Sequence, residues 1–348
     1  MSTIRFSLVI PLIILIIGIQ YSINQQSKST LFDNIIIKSY SFENTEEDNM
    51  VIARSFKETS DRIHQFVNDE DLQGTEPESI LKLRQSTKEK IHRSMEIISQ
   101  ALDEFEYSNI SISFNGGKDC LVMLHLYMAV LNDRKLVSET HDDGSLKKMS
   151  SVYIYYEDTF EEIEEFNKET SKTYNLDLQV YSYCKLKVGF EKYLDDHRNI
   201  QAIIVGNRKT DPYSENLQAF QPTDNDWPSF VRVHPILDWT YQEIWFFLIN
   251  LNVHYCKLYD YGYTSIGGIS STIPNQYLKK TDFELKNKDI NRENLNWMIQ
   301  LYQKNSQISP EYRFYTDEEL EAHEHYPAFY LQNDDYERFS RQTKQKAQ

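Results

Sequence analysis

The segment at residues 113–120, SFNGGKDC, places two glycines, a lysine and an aspartate between two apolar runs. The run before it alternates like a β-strand, and the run after it is spaced like a helix. A glycine pair at such a junction lets the backbone approach an anion, while the start of the helix directs free N–H groups at it. The turn therefore fits phosphate binding, although it matches neither the GxxxxGK[ST] loop nor the dinucleotide GxGxxG fingerprint. A tight turn without a ligand, in which Lys118 and Asp119 cap the helix, is the alternative.

The elements around this turn predict an α/β fold with a doubly wound, mostly parallel sheet. Apolar residues at three- and four-residue steps predict a long helix over residues 77–107. After it, four strands alternate with three helices: strands at 109–114, 151–156, 176–183 and 201–206, and helices at 116–131, 160–174 and 187–197. This alternation is typical of parallel βαβ units, so we expect ligands to bind over the carboxyl ends of the strands.

Composition narrows the class of protein. The chain has 348 residues with 40% hydrophobic content, and 37 Lys plus Arg against 53 Asp plus Glu give a formal charge of -16. This acidic balance argues against a protein whose main partner is nucleic acid, and an anionic ligand needs a local basic site. The three cysteines are far apart and form no CxxC pair: Cys120, Cys184 and Cys256. We interpret them as reduced packing residues and expect a cytoplasmic catalytic domain.

The N-terminus contains an apolar run at residues 6–19, which reaches 18 residues if it is counted through Ile23. This length is at the lower edge of what can cross ~30 Å of hydrocarbon. A membrane anchor, a cleaved targeting segment and an artefact of gene prediction are the three alternatives. No small-x-small cleavage site follows the run, which argues against a cleaved segment. The predicted organisation is a hydrophobic segment at 1–23, a polar acidic linker with at most one short helix at 24–75, and a catalytic domain at 76–345.

Five ordered motifs between residues 79 and 341 resemble one family. FNGGKD is similar to the PP-loop of the N-type ATP pyrophosphatases, in the asparagine-bearing version of the eukaryotic FAD synthetases. The resemblance continues through IIVGNRKTDP, TDNDWPSFVRVHPILDWTYQEIW and YCKLYDYGYTSIGG to YPAFYLQNDDYERFSR. It implies an adenine-nucleotide hydrolase-like fold with a helical C-terminal extension. It also implies an enzyme that transfers AMP from ATP to FMN, giving FAD and pyrophosphate, with magnesium.

The resemblance also implies roles for individual residues. Those assigned to ATP and its phosphates are Ser113, Asn115, Gly116, Gly117, Lys118, Asp119 and Arg208. Among them Asn115, Asp119 and Arg208 are the catalytic candidates. For Asp119 a helix N-cap is the competing role.

A magnesium ligand and a set of flavin-binding residues complete the site that the resemblance implies. Asp211 is the candidate magnesium ligand, since magnesium prefers carboxylate and phosphate oxygens, and an Asp-Pro turn with a surface salt bridge is the alternative. Asp224 is the candidate acceptor for the flavin imide. Arg338 and Arg341 share one face if the tail is helical and are candidates for the FMN phosphate. The alternative is a solvated tail in which they pair with neighbouring carboxylates.

Three functions fit these observations. The first is an FMN adenylyltransferase, acting as a monomer on the small molecules ATP and FMN. The second is a sulfonucleotide reductase, which shares the fold but needs a reactive C-terminal cysteine, and no cysteine follows Cys256. The third is a catalytically silent nucleotide-binding protein, tethered to a membrane if residues 6–23 form an anchor.

Overall fold

The structure, a computed structural model, describes residues 35–137, 146–224, 226–308 and 321–342. These residues contain a seven-stranded sheet in the order β1-β4-β3-β2-β5-β7-β6. β2 pairs in parallel with β3 and β5, β3 with β4, and β5 with β7, whereas β1 and β6 lie antiparallel to their neighbours. The predicted mostly parallel α/β sheet is confirmed. The strands are β1 Ile36–Tyr40, β2 Ile110–Ser113, β3 Met149–Tyr155, β4 Leu176–Ser182, β5 Ala202–Val205, β6 Phe220–Pro222 and β7 Val231–Val233.

Helices connect and cover the strands. The bounds are α1 Glu46–Val67, α2 Glu78–Phe105, α3 Lys118–Asp133, α4 Glu161–Thr173, α5 Leu186–Asp196, α6 Tyr241–Asn250, α7 Phe283–Lys286 and α8 Arg292–Ile308. The four helices predicted between residues 77 and 197 are confirmed to within a few residues. α3 follows the glycine turn and is buried on every face from residue 120 to residue 131, which explains why its sequence is apolar all round.

Two segments of the predicted linker, Ile36–Tyr40 and Glu46–Val67, are folded. α1 is 22 residues long and begins with a capping box in which the Thr45 side chain accepts a bond from the Asp48 amide. Its apolar face packs on α3, and Ile52, Phe56 and Ile63 on that face are buried. The linker prediction is therefore wrong over β1 and α1. The boundary at residue 76 stays a prediction for the catalytic unit.

The apolar run at residues 6–23 lies outside the described residues. Within the described ranges, no helix has the length and apolar content needed to cross a membrane.

The last described segment returns to the centre of the sheet. It forms short 3-10 turns over Ala328–Tyr330 and Asp334–Ser340. Buried bonds fasten the second turn: the Thr264 hydroxyl donates to the Glu337 carbonyl at 2.6 Å, and the Asn275 amide donates to the Tyr336 carbonyl at 2.8 Å. The YGYTSIGG stretch thus holds the C-terminal residues against the fold.

The cysteine prediction is confirmed in part, because all three thiols are buried and unpaired. Ile163 and Phe166 of α4 face the core, and His234 is a buried residue whose Nδ1 lies 2.9 Å from the Gln218 carbonyl.

Candidate active site

A cavity of about 300 Å³ opens at the carboxyl ends of β2 and β5. This is the edge of the sheet where the alternation of strands and helices predicts ligand binding. Its walls come from four separate parts of the chain: the glycine turn, the loop after β5, residues 259–266 and the C-terminal turn. The lining residues are Ser113, Asn115, Gly117, Lys118, Asp119, Cys120, Val205, Gly206, Asn207, Asp211, Pro212, Tyr259, Ser265, Ile266, Glu337, Arg338 and Arg341.

The glycine turn forms the floor of the cavity. Gly116 has a φ of +75°, in the left-handed region that favours glycine, and Gly117 occupies the N-cap position of α3. The Gly117 amide donates to the Asn115 Oδ1 at 2.9 Å, and the Lys118 amide donates to the Tyr259 hydroxyl at 2.9 Å. The Asn115 side chain therefore binds a backbone amide of its own loop, and the backbone amides at the start of α3 lie beside the cavity.

Asp119 lies in the first turn of α3 rather than at its N-cap. Gly117 is the N-cap and has no side-chain cap bond, so the capping role considered for Asp119 is wrong. A carboxylate in the first helical turn still interacts favourably with the helix dipole. Here it also contacts two cations.

At the cavity wall, four charged side chains form a closed ring of alternating sign, in which only Arg208 does not line the cavity. The Lys118 Nζ lies 3.0 Å from the Asp119 Oδ2 and 2.5 Å from the Glu337 Oε1. The Arg208 Nε lies 2.8 Å from the Asp119 Oδ1, close enough for an ion pair but not aligned for a hydrogen bond, and the Arg208 Nη2 contacts the Glu337 Oε2. Two cations and two carboxylates compensate one another, which permits their burial.

The surroundings keep this buried ring charged. Burial alone would lower the pKa of Lys118, but the charges of Asp119 and Glu337 raise it above its ordinary value. Burial would raise the pKa of Asp119, but Arg208 and Lys118 outweigh that effect and hold it below the ordinary range. Burial would also lower the pKa of Arg208, whereas the same two carboxylates raise it. The pKa shifts of Lys118, Asp119 and Arg208 thus all favour the charged forms of these three groups.

This arrangement corrects the expectation for Arg208. Its side chain is fully buried and does not line the cavity, so in this structure it is not placed to contact a triphosphate directly. Its guanidinium instead ties Asp119 in the glycine turn to Glu337 in the C-terminal turn. Sequence could not show this, because an arginine that follows a strand can point either into a cavity or into its wall.

Asp211 faces the cavity beside Arg338. Its Oδ2 accepts a bond from the Arg208 amide at 2.9 Å, and its Oδ1 lies 3.7 Å from the Arg338 Nη1. Burial raises the pKa of Asp211, and the negative charge of Asp119 raises it further. A second positive charge nearby would favour its ionised form.

The two C-terminal arginines reach the same cavity. Arg338 is 43% exposed, while Arg341 is half-buried and donates from Nη1 to the Ile266 carbonyl at 3.0 Å. The guanidinium of Arg341 lies against Gly267, where a Cβ would overlap it. The expectation that both arginines project toward one site is consistent with this placement.

Asp224 is placed differently. It is exposed in the loop between β6 and β7 and does not line the cavity, although its carbonyl accepts a bond from the Trp227 amide at 2.9 Å. Trp227 packs near Phe190, with ring centroids 6.5 Å apart, as expected of a loop anchor. The structure brings the other expected residues together, with Gly116 and Arg208 next to lining residues, but leaves Asp224 outside the cavity.

Several residues of the site were missed in the sequence, among them Glu337, Gly267 and Tyr259. Glu337 stands first in the Glu-Arg-x-x-Arg element, and Gly267 and Tyr259 lie in YCKLYDYGYTSIGG, so all three are inside motifs that were already recognised. For Tyr259 the motif was not sufficient, because one tyrosine among 24 gives no reason to expect a bond to a helix start. The described residues contain no cluster of three or more His, Cys, Asp or Glu side chains that could hold a metal ion by themselves.

The chain matches the family model of the phosphoadenosine phosphosulfate reductase domain over residues 109–188 and 182–274. These matches contain the glycine turn, the loop after β5 and the YGYTSIGG stretch. The matched region therefore supplies most of the cavity wall, and the C-terminal turn lies beyond it.

Curated proteins and solved structures give closer matches. A probable FAD synthase of Schizosaccharomyces pombe is 40% identical over 189 residues, which cover 54% of this chain and 70% of that protein. Candida glabrata FMN adenylyltransferase in complex with ATP is 29% identical, with a TM-score of 0.67, and the match covers 84% of this chain and 98% of that one. The same enzyme in complex with FMN and the ATP analogue AMPCPP is 30% identical with a TM-score of 0.65, and the match covers 83% and 99%.

Proposed function

We propose, on the premise that the chain belongs to the FAD synthase family, that it transfers AMP from ATP to the phosphate of FMN. The products are FAD and pyrophosphate. The observation that carries this proposal is the cavity, in which a glycine turn at a helix start faces two arginines and an aspartate. Such a cavity suits a polyphosphate in a chain whose overall charge is negative.

The reaction needs positioning more than a protein nucleophile. An oxygen of the FMN phosphate bonds to the α-phosphorus of ATP as the bond from that phosphorus to the bridging oxygen of pyrophosphate breaks. The attacking oxygen is already anionic, so no protein base is required. The chain must hold two like-charged groups in line and screen their repulsion.

Within the cavity each part has a distinct task. The amides of the glycine turn, with Ser113 beside it, hold the phosphate oxygens of ATP. Arg338 and Arg341 screen the repulsion between the FMN phosphate and the triphosphate. Asp119 and Arg208 keep the glycine turn and the C-terminal turn in register from behind.

Asp211 fits a magnesium site that is completed by substrate. Magnesium is usually held by one or two carboxylates together with phosphate oxygens and water, so a single cavity carboxylate is a suitable donor set. The raised pKa of Asp211 also indicates a carboxylate that would gain from a nearby cation. Magnesium bound there would neutralise charge on the phosphate oxygens. For Asp224, we propose flavin recognition on the family resemblance alone.

The sulfonucleotide reductase alternative is disfavoured by the thiols. That chemistry requires a reactive cysteine, but burial raises the pKa of Cys120, the thiol in the cavity wall, to about 12. Cys184 and Cys256 are buried as well.

The decisive experiment incubates the purified chain with FMN, ATP and magnesium and separates the flavins. We expect FAD and an equal amount of pyrophosphate. The Gly117→Val variant, purified in parallel, controls for contaminating enzymes, because its side chain would meet the Asn115 Oδ1 and block the approach of phosphate. FAD no higher than in a no-enzyme control would contradict the proposal.

The location and assembly of the chain are separate proposals. We propose that residues 6–23 form a membrane anchor and that the catalytic unit, residues 76–345 with α1 packed on it, is a cytoplasmic monomer. A reporter fused to residues 1–30 should then enter a carbonate-resistant membrane fraction at unchanged size. A soluble reporter of full size would contradict the anchor, and a dimer in light scattering would contradict the monomer.

A further inference from the structure

The side chain of Asn167, in α4, is buried directly beneath the glycine turn. It is 1% exposed, and a Cβ placed on Gly116 would overlap its Oδ1. Phe166 lies on the same side, with its ring edge 3.4 Å from that Cβ position. The absence of a side chain at Gly116 is therefore what allows the turn to lie on the amide of Asn167.

This amide is unusual for a buried polar group. Neither its Oδ1 nor its Nδ2 has a hydrogen-bond partner in the part of the chain that the structure describes. Buried amides are almost always paired, because an unpaired one loses its bonds to water without replacement. A leucine has the same number of side-chain heavy atoms and would not carry that cost. The amide is therefore best explained by a task in another state of the turn.

The geometry of a peptide unit indicates what that task is. In a trans peptide the C=O and the N–H of one peptide unit point in opposite directions. If the carbonyl oxygen is bound from the side of α4, the N–H of the same peptide therefore points toward the cavity. If the Asn167 Nδ2 binds the Gly116 carbonyl, the Gly117 N–H points into the cavity. In the present state that N–H donates to the Asn115 Oδ1 at 2.9 Å, and both groups line the cavity.

We propose that Asn167 is a positioning residue for nucleotide binding. When the polyphosphate of ATP enters, the Gly117 amide leaves Asn115 and donates to a phosphate oxygen, and Asn167 holds the Gly116–Gly117 peptide in that orientation. Gly116 can accommodate the rotation because glycine has few backbone restrictions. This inference rests on the proposed function, since it assumes that ATP is the ligand of the turn.

The test separates stability from binding by using Asn167→Leu. Removing an unpaired buried amide should leave the melting temperature of the free protein unchanged or raise it. The dissociation constant for ATP, measured by calorimetry, should rise about tenfold, and the KM for ATP should rise similarly while the KM for FMN stays the same. A merely structural role would lower stability and leave ATP affinity intact.

The matched control is Asn294→Leu. The Asn294 Oδ1, in α8, is likewise buried without a hydrogen-bond partner, but Asn294 does not line the cavity. We expect this variant to bind ATP as the wild type does. An equal loss of ATP affinity in both variants would overturn the assignment.

A second measurement does not depend on the folding of the leucine variant. In the wild-type protein the side-chain NH2 signal of Asn167, assigned by its absence in Asn167→Ser, should shift and become protected from exchange when pyrophosphate is added. An unchanged signal at saturation, or unchanged ATP affinity in Asn167→Leu, overturns the role of Asn167 while a wild-type protein that makes FAD keeps the proposed function. A wild-type protein that binds neither ATP nor pyrophosphate overturns both.

Discussion

Two groups of charges lie within one cavity region and differ in almost every physical respect. Lys118, Arg208 and Glu337 are buried, the Asp119 side chain is 22% exposed, and the four compensate one another in a closed ring. Arg338 is 43% exposed and has only a 3.7 Å contact with Asp211. The ring has no net charge with which to attract a ligand, whereas Arg338 and Arg341, outside the ring, retain their positive charges. The comparison indicates that the ring maintains the shape of the cavity. Arg338 and Arg341, which form the cavity mouth, supply the positive field for phosphate.

The largest expected effect comes from breaking the ring with Glu337→Gln. This change leaves two buried cations facing one carboxylate, and breaking a buried ion pair in this way typically costs about 3–5 kcal/mol. We expect a loss of that size in the free energy of unfolding, measured with urea, together with a loss of FAD synthesis.

The matched control for this prediction is Glu243→Gln. Glu243 is also buried, but it accepts bonds from the Ser86 hydroxyl and the Thr240 amide rather than from cations. Its substitution should cost clearly less. If the two variants lose the same stability, the ring does not act as a charge-compensated unit.

A smaller and purely functional effect is expected from Arg338→Ala. The free energy of unfolding should change by no more than about 0.5 kcal/mol, because the side chain is exposed and weakly paired. FAD formation should fall roughly ten- to a hundredfold, the equivalent of one charge-assisted bond, and lysine should restore only part of it.

The control for that variant is Arg292→Ala, since Arg292 is 47% exposed and pairs with Glu284 on α7. It should retain full activity. Full activity of Arg338→Ala, measured under the same subsaturating FMN, would instead show that the mouth does not provide the phosphate contact.

A small effect on stability is also expected from Asp211→Asn, and its sign is positive. The pKa of Asp211 is raised in the folded protein, mainly by burial and then by Asp119, so the folded state binds this proton more tightly than the unfolded chain. Ionising Asp211 therefore lowers stability as the pH rises from the ordinary carboxylate range through the raised pKa. The variant removes this cost, so it should be slightly more stable than the wild type at neutral pH, and the difference should vanish in acid.

Although Asp211→Asn should increase stability, it should impair FAD formation. Because an amide is a poorer ligand for magnesium than a carboxylate, Asp211→Asn should need more magnesium for half-maximal FAD formation. In the wild type the same requirement should increase as the pH falls and Asp211 takes up its proton. Identical magnesium titrations of both proteins at pH 7 would remove Asp211 from the site.

The sequence predicted the parts of the molecule that depend on local pattern. Alternating strands and helices, and a glycine pair at one junction, were sufficient to place the cavity at the carboxyl ends of the strands. The helix α1 could also have been predicted from the sequence, because Ile52, Phe56 and Ile63 follow helical spacing and Thr45 with Asp48 forms a capping box. The acidic composition of the segment obscured this signal.

The parts that could not be predicted depend on contacts between distant segments. Lys118 and Glu337 are 219 positions apart, and no local rule pairs them. The burial of Arg208 follows from that same meeting, so its role changed from a ligand contact to a support. Asn167 was passed over because an asparagine in an amphipathic helix carries no pattern of its own.

The separation of 219 positions between Lys118 and Glu337 also has a consequence for folding during translation. Lys118, Asp119 and Arg208 are all translated before Glu337, so until then the two cations of the ring have Asp119 as the one ring carboxylate available to them. Domains tend to fold from the N-terminus as synthesis proceeds. Here the sheet can assemble early, but the cavity closes only when the final turn arrives, and messages cut short before codon 337 yield chains that cannot complete it.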